Sequence, residues 1–354
     1  MIRPGWQKVM SLAGTAAGVV AAGGAAALAV RHRKGARAFQ SAGEEAPLGS
    51  LRGEVHRVRA TDGLRLYAEV DEPDADADPD APTLVFVHGW VLSMDCWHFQ
   101  RAAFRGRNRV VLYDQRTHGR SPVSEPAHCT AEQLGADLAE VIEQVVPSGP
   151  IVLVGHSMGG MTIMAYAQDF PDRVRERVVG VALLGTSAGD ISRMLPGLNV
   201  GAVSAMGGPL AGLSRRAPRL LATSRRLTAD LAYEATLRFG FGDHPLPRYV
   251  AFTDSMVARS RSEVFTDFWP LFVHLDMFDV LVAFEGLPTV IIVGTRDVVT
   301  PARHSRRMAE MLPEAELALC PGGGHMLMLE QHRQVNDLLV RLLERAAGPV
   351  EEAS

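Results

Sequence analysis

The stretch that decides the fold is "VGHSMGG", Val154 to Gly160, in which one serine stands between two glycines, each two residues away. It directly follows the apolar run "PIVLV" and opens the helix-compatible stretch "MGGMTIMAYAQDF". A strand, a tight turn and a helix in that order are the setting of a nucleophile elbow, with Ser157 at the top of the turn. The pattern G-x-S-x-G alone is a weak signal, because an ordinary glycine turn at a strand end also matches it. The rest of the chain must therefore decide between the two interpretations.

The two glycines around the serine have a steric explanation. A nucleophile elbow holds its serine in a strained conformation while the strand and the helix approach closely on both sides. Gly155 and Gly159 carry no Cβ that could clash there. The same turn places the Ser157 hydroxyl at a helix N-terminus, where the partial positive charge favours an anion.

The segments around this turn predict a sheet. Short runs rich in Val, Ile and Leu alternate with helical stretches, and such unbroken apolar runs are typical of parallel strands buried on both faces. The strand candidates are "TLVFVHG", "RVVLYD", "PIVLVG", "VVGVALLG", "PTVIIVG" and "AELALC". Before them, "EVHRVRATDGLRLYAEV" alternates around Asp62-Gly63, which predicts a hairpin. We expect a mostly parallel, doubly wound α/β domain that binds its ligand at the carboxyl ends of the strands.

Helix signals fill the gaps between the strands. One helix is predicted to start at Thr130, with Gln133 placed for a capping box. A second is predicted at Thr300, with Pro301 in the first helical position. The last helix is predicted to run from about Met326 to Arg345.

A serine nucleophile needs a base, and the base needs an orienting group. His325 in "CPGGGHMLMLE" follows the last strand candidate, although a lone histidine in a loop is often only structural. Asp297 in "VIIVGTRDVVTP" follows the strand before it, and its alternative role is that of a turn or helix-capping carboxylate. Ser157, Asp297 and His325 stand in the chain order of a catalytic triad on this fold. Asp190, after the preceding strand, is the next choice for the acid.

An acyl-transfer site also needs donors for a developing oxyanion. The sequence predicts the backbone N–H of Met158, directly after the nucleophile, and that of Trp90, in the loop after "TLVFVHG". His88, Gly89 and His156 are candidates to line the pocket. For the His88 and Trp90 side chains, simple packing is the alternative.

Five motifs carry a resemblance to the α/β-hydrolase superfamily. "HGW", "DQRTHGRS", "GHSMGG", "GTRDVVTP" and "GGGHMLMLE" match its landmarks in order and spacing, and the resemblance covers roughly Val55 to Ala347. One departure is Thr117, where the family usually has glycine, which puts a local turn in question. The resemblance implies a serine triad, and the serine counts against haloalkane dehalogenases and epoxide hydrolases, whose nucleophile is an aspartate.

A long interruption separates "VALLGTSAG" from "PTVIIVG". Residues 190–287 do not alternate strand and helix and are far longer than a usual connection, so we expect an inserted helical subdomain. By resemblance it is a cap, and its glycine-bearing ends favour a mobile lid. The core then comprises residues 54–189 and 288–354.

Composition excludes several classes. The chain of 354 residues is 47% hydrophobic with a net charge of −4, which is typical of a globular protein and not of a nucleic-acid binder. Cys96, Cys129 and Cys320 are odd in number and lack metal spacing, so neither a disulfide framework nor a metal site is predicted. No cofactor is expected, and the oligomeric state is left open.

The N-terminus predicts a membrane segment. Val9 to Val30 is 22 residues without a charge, long enough to span a bilayer, and Arg31 to Arg37 supplies a basic flank. We expect residues 1–37 to form an anchor, followed by a linker over residues 38–53, with the catalytic domain on the cytoplasmic side. The alternative is a secretory signal peptide cleaved at Ala27-Leu28-Ala29.

These observations predict a serine hydrolase of carboxylic esters, with a small apolar or lipid-like ester as its substrate. Acyl transfer, perhydrolysis or hydrolysis of a carbon–carbon bond would use the same triad, so they stay open. A non-catalytic, membrane-tethered binding protein on the same fold is a third possibility, but such relatives typically lose a member of the triad.

Overall fold

The computed structural model describes residues 43–44, 46–189 and 229–347. Its centre is an eight-stranded sheet in the order β1-β2-β4-β3-β5-β6-β7-β8. The hairpin of β1 and β2 pairs antiparallel, β2 also pairs antiparallel with β4, and every other neighbouring pair is parallel. The strands are β1 Glu54–Arg59, β2 Arg65–Asp71, β3 Thr83–Val87, β4 Val110–Asp114, β5 Ile151–His156, β6 Val178–Leu184, β7 Thr289–Gly294 and β8 Glu316–Cys320. The predicted hairpin and all six predicted apolar strands are confirmed.

The sheet is buried on both faces, which explains its unbroken apolar runs. In β3, Val85 and Val87 belong to one hydrophobic core, whereas Leu84 and Phe86 belong to the core on the opposite face. Side chains of a strand alternate between faces, so a strand covered on both sides needs apolar residues at successive positions.

Helices cover the two faces. Those of the α/β part are His98–Phe104, Ala131–Val145, Met158–Asp169, Pro171–Arg177, Ala302–Met311, Leu327–Glu330 and His332–Ala346, with 3₁₀ turns at Met94–Trp97 and Pro126–His128. Thr130 caps its helix as predicted, since its hydroxyl accepts the Gln133 N–H. The helix predicted at Thr300 begins two residues later, and the predicted last helix is interrupted at Gln331.

The described part of the interruption is helical. Its helices are Ala229–Gly240, Pro247–Arg259, Ser262–Asp267 and Trp269–His274, followed by a 3₁₀ segment Phe278–Phe284. Gly189 and Asp276 form an antiparallel bridge, and the Met277 N–H donates to the Ala188 carbonyl at 2.6 Å. The start and the end of the interruption therefore meet beside β6. Residues 190–228 lie outside the described part, and the predicted cap boundaries stay a prediction.

Residues ahead of β1 lie against the domain. The Gly49 N–H donates to the His98 ring at 3.2 Å, and the Gly53 N–H donates to Glu69 at 3.0 Å. A Cβ on Gly49 would lie 2.9 Å from the ring of Phe252, in the inserted helix Pro247–Arg259. This part of the chain thus contacts both the core and the insert.

The predicted anchor, Val9 to Val30, lies outside the described residues. Within residues 43–44, 46–189 and 229–347, no helix combines the length and the apolar character needed to cross a membrane. Cys96, Cys129 and Cys320 are buried free thiols.

Candidate active site

Ser157 occupies a strained turn between β5 and the helix Met158–Asp169. Its φ of 52° and ψ of −118° are disfavoured for any residue with a side chain. Its N–H donates to the Leu184 carbonyl at 2.9 Å, and its carbonyl accepts the Thr186 hydroxyl at 2.7 Å. Strain of this kind persists only where the surroundings fix it, and here β6 and the residues after it do so. The Thr186 contact was not anticipated from the sequence.

The flanking glycines are required by close backbone approaches. A Cβ on Gly159 would lie 2.1 Å from the Val87 carbonyl oxygen, and one on Gly155 would lie 2.6 Å from the Gly159 carbonyl oxygen. Real Cβ atoms do not come so near to backbone atoms. The steric explanation given for the motif therefore holds in the fold.

Asp297 and His325 meet at the carboxyl ends of β7 and β8. The His325 Nδ1–H donates to Asp297 Oδ2 at 2.8 Å, and both side chains are buried. Because Nδ1 carries the proton in this bond, Nε2 of a neutral ring is left with a lone pair that can accept one.

Further donors fix the Asp297 carboxylate. Its Oδ1 accepts the N–H groups of Val299 and Thr300, each at 2.8 Å, and its Oδ2 also accepts the Thr300 hydroxyl at 2.8 Å. Asp297 therefore both orients His325 and closes its own turn, so the two roles considered for it are compatible. The sequence predicts Thr300 only as the start of a helix. The D-x-x-T spacing of Asp297 and Thr300 is a signal that could have indicated this side-chain-bonded turn.

His156 brings the His325 loop next to the nucleophile turn. Its Nε2–H donates to the His325 carbonyl at 3.0 Å, and the two rings are 4.6 Å apart between centroids. Burial holds the pKa of His156 well below its usual value, so the ring is neutral. Among the described residues, its Nδ1 has no hydrogen-bond partner. His156 directly precedes Ser157, and the three predicted triad residues thus converge on one end of the sheet.

His88 holds the loop after β3. It is fully buried, and its Nδ1–H donates to the Gly89 carbonyl at 2.8 Å while its Nε2 accepts the Gln115 N–H at 3.0 Å. Burial lowers the pKa of His88 to about 4, so the ring is neutral and this tautomer is fixed. The Gly89 carbonyl and the Trp90 N–H share one planar trans peptide, so holding the oxygen also fixes the direction of the N–H.

The residues of the two predicted oxyanion donors lie next to Ser157, since Met158 follows it in the chain and the loop that carries Trp90 approaches it in space. A Cβ on Gly89 would lie 3.1 Å from the Cβ of Ser157, which places the loop before Trp90 against the serine. Neither the Trp90 N–H nor the Met158 N–H donates to a carbonyl in the described turns and loops. Met158 opens its helix, so its N–H is one of those without an intrahelical acceptor.

Thr117, which stands where the α/β-hydrolase family usually has glycine, adopts a backbone conformation that is unfavourable for threonine. Thr117 adopts a φ of 68°, in the left-handed region that glycine enters freely, where a residue with a Cβ loses about 1–2 kcal/mol. Its turn is kept because the hydroxyl accepts the Ser124 N–H at 3.1 Å and the Thr117 N–H donates to the Pro122 carbonyl at 2.9 Å.

Ser157, His325 and Asp297 are thus brought to one end of the sheet, and their roles as nucleophile, base and orienting acid stay a prediction. The next choice for the acid, Asp190, lies outside the described residues. Within residues 43–44, 46–189 and 229–347, no three His, Cys, Asp or Glu side chains are grouped as metal ligands.

The chain is similar to known proteins in sequence and fold. A model of the alpha/beta hydrolase family matches residues 84–338 of the chain. The sn-1-specific diacylglycerol lipase ABHD11 of Mus musculus is 27% identical over 276 residues, which cover 76% of this chain and 83% of that protein. The bifunctional esterase/perhydrolase DCH of Acinetobacter calcoaceticus is 39% identical over 94 residues, or 26% of this chain and 33% of that one.

Among solved structures, a thermophilic esterase from Thermogutta terrifontis has a similar fold. Its TM-score is 0.65 at 22% sequence identity, and the alignment covers 83% of this chain and 99% of the esterase.

Proposed function

The chain belongs to the alpha/beta hydrolase family, and on that premise we propose that it is a serine hydrolase that cleaves carboxylic esters. The observation that carries the proposal is the buried Asp297–His325 hydrogen bond of 2.8 Å, beside a turn that holds Ser157 at a positive φ. A serine in an ordinary glycine turn would need neither an oriented imidazole nor a strained backbone.

In the proposed reaction, Ser157 Oγ attacks the ester carbonyl carbon and its proton passes to His325 Nε2. The Trp90 and Met158 N–H groups stabilise the negative oxygen of the tetrahedral intermediate. The intermediate collapses, the bond to the alcohol oxygen breaks, and the alcohol leaves with the proton from His325. Water then attacks the acyl-enzyme carbonyl carbon and gives a proton to His325. The bond to Oγ breaks, Ser157 regains that proton, and the carboxylic acid is released.

Asp297 has an orienting role in this scheme. It accepts the Nδ1–H of His325, which keeps the Nε2 lone pair towards the nucleophile and stabilises the imidazolium that forms. The hydrogen bonds from Val299 and Thr300 keep the carboxylate fixed while the charge on the ring changes.

An apolar acyl group is the substrate class that the surroundings favour. The Trp90 ring packs against Phe265, Trp269 and Phe272 of the insert, with centroids 5.2–6.4 Å apart. This aromatic cluster stands directly beside the proposed oxyanion loop. The lipase and esterase named above are consistent with a lipid-like or simple ester.

Perhydrolysis is the second candidate. The relative with 39% identity over a shared 94-residue segment is a bifunctional esterase/perhydrolase. In that reaction hydrogen peroxide replaces water as the nucleophile that attacks the acyl-enzyme, and the product is a peracid instead of a carboxylic acid.

A fluorophosphonate probe and a panel of p-nitrophenyl esters test the proposal. We expect the probe to label the wild type and not Ser157→Ala, and we expect hydrolysis of the esters to depend on Ser157. Labelling that persists in Ser157→Ala would overturn the assignment of the nucleophile, and an unlabelled, inactive wild type would favour a binding protein. Peracid formation from a carboxylic acid and hydrogen peroxide would establish the second candidate.

We also propose that Val9 to Val30 anchors the enzyme to a membrane, with the catalytic domain on the cytoplasmic side. The support is the run of 22 uncharged residues and the basic flank Arg31 to Arg37, which exceeds the charge of the N-terminal flank by about one.

A further inference from the structure

Three residues other than glycine have a positive φ in the described part of the chain: Val91 at 57°, Thr117 at 68° and Ser157 at 52°. Ser157 is the proposed nucleophile, and its strain belongs to that role. Val91 and Thr117 are β-branched, for which this conformation is especially unfavourable. Besides the bonds within the Thr117 turn, both turns receive hydrogen bonds from the insert.

The Val91 turn is held by the insert. Its carbonyl accepts the Ser260 hydroxyl at 2.7 Å, whereas the same hydroxyl lies 3.2 Å from the Met256 carbonyl of its own helix. One residue earlier, the Trp90 indole Nε1–H donates to the Val264 carbonyl at 2.8 Å. The insert thus contacts both residues that follow Gly89, one through the backbone and one through the side chain.

The Thr117 turn is held by the residue next to Ser260. Arg261 Nη1 donates to the Thr117 carbonyl at 2.9 Å and to the Ser121 carbonyl at 2.8 Å. This turn also matters for the oxyanion loop, because the nearby Gln115 N–H bonds the His88 ring that orients the Gly89–Trp90 peptide.

We propose that Ser260, Arg261 and Val264, here named the clamp, are positioning residues that aim the Trp90 N–H at the oxyanion. This inference rests on the proposed function. His88 fixes the peptide from the core side, and the clamp fixes the following residues from the insert side. The part of the insert around residues 260–264 then acts as fixed support for the oxyanion loop, in contrast to a lid that moves away from it.

Two variants with matched controls test the clamp. Ser260→Ala removes the bond to Val91. Its control is Ser262→Ala, which removes an exposed hydroxyl that donates to the neighbouring Glu263. Arg261→Met removes the bonds to the Thr117 turn, and its control is Arg259→Met at an exposed position two residues earlier.

We expect kcat for p-nitrophenyl esters to fall about 10-fold in each clamp variant, with KM changed by less than about 3-fold, because only transition-state stabilisation is lost. The affinity for an alkyl boronic acid, whose adduct places an oxygen where the oxyanion forms, should fall by the same factor as kcat/KM. In a variant that merely loosened the fold, the affinity for the boronic acid would not fall in proportion to kcat/KM.

Amide hydrogen exchange provides a readout that does not require turnover. Exchange should accelerate at least about 10-fold in residues 89–93 of Ser260→Ala, which loses one hydrogen bond, and in residues 117–121 of Arg261→Met, which loses two. The two controls should match the wild type. Unchanged exchange in both clamp variants would overturn the clamp whatever the activity. Ser157-independent ester hydrolysis with accelerated exchange would refute only the proposed function.

Discussion

Thr300 and His325 share one acceptor, the Oδ2 atom of Asp297, which receives the Thr300 hydroxyl and the His325 Nδ1–H at 2.8 Å each. The orientation of the imidazole therefore depends on how firmly the Asp297 turn is closed.

Asp297→Asn is expected to lower kcat by about 10³–10⁴-fold, because the amide can donate to Nδ1 and so favour the wrong tautomer of His325. Ser157→Ala and His325→Ala should be at least as severe, and double variants should lose no more than single ones, since the three groups act as one unit. Steady-state kinetics measure this. Asp243→Asn, which removes a surface ion pair with Arg296, is the control and should stay active. Near-normal activity of Asp297→Asn would place the acid elsewhere, with Asp190 as the next candidate.

Thr300→Val is expected to lower kcat about fivefold, because the lost hydroxyl is worth about 1 kcal/mol of carboxylate positioning. Thr289→Val is the matched control: its hydroxyl donates to the Leu287 carbonyl at the opposite end of β7, and its loss should cost similar stability without affecting kcat. Urea unfolding and ester hydrolysis measured on both variants separate the two effects. Equal activities would show that the Asp297 turn needs no hydroxyl.

Gly159→Ala is expected to prevent correct folding or to abolish activity, since the new Cβ would lie 2.1 Å from the Val87 carbonyl oxygen. Gly180→Ala in β6 is the control, because its nearest neighbour would be a Leu342 methyl at an ordinary 3.4 Å. Soluble yield and thermal unfolding check this expectation. A stable, active Gly159→Ala would mean that β3 can move away from the helix Met158–Asp169.

Stability should decrease in acid because of buried neutral histidines. Burial lowers the pKa of His88 to about 4 and that of His118 to about 3. Below the usual value of about 6.5 the unfolded chain takes up protons that the folded chain does not, so each histidine costs about 1.4 kcal/mol per pH unit down to its folded pKa. Asp114 opposes this, since burial raises its pKa to about 6 and its stabilising contribution is lost as the pH rises through that value.

Urea unfolding between about pH 7 and about pH 5 measures this slope. His118→Asn should reduce it by about 1 kcal/mol per pH unit on average, since an unfolded histidine is only partly protonated in the upper part of this range, and His244→Asn, at an exposed position, is the control variant. A His118→Asn variant with the wild-type slope would contradict the assignment of a neutral, buried ring.

The membrane proposal predicts a full-length protein in the membrane pellet of fractionated cells, resistant to protease added outside intact cells. The positive flank after Val30 should keep the catalytic domain inside. A mature protein that begins near Val30 and appears in the medium would identify the segment as a signal peptide.

The sequence was sufficient for the family and for the sheet, both of which are confirmed. A strand that is covered on both faces requires apolar residues at successive positions, so unbroken apolar runs such as that of β5 clearly predict buried strands. Because parallel strands end at one edge, residues directly after β5, β7 and β8 had to come together, so the Asp297–His325 contact could be anticipated.

Other features depend on contacts that no local pattern encodes. The Thr186 hydroxyl reaches the Ser157 carbonyl only once β6 lies beside β5. Thr300 was expected at a helix start, but its hydroxyl is used by Asp297 and the helix begins later. The interruption at Gln331 is invisible in an amphipathic pattern that continues through it.

The contact of Gly49 with Phe252 relates the predicted membrane anchor to the insert, because it fixes the chain ahead of β1 against the helix Pro247–Arg259. Between Val30 and Gly43 lie at most about 45 Å of fully extended chain. Since Gly49 lies beside Phe252 of the helix Pro247–Arg259, an anchored molecule would hold this part of its insert within roughly that distance of the bilayer. Its substrate search would then be confined to a thin layer at the membrane surface, where the local concentration of amphiphilic esters exceeds that of the bulk.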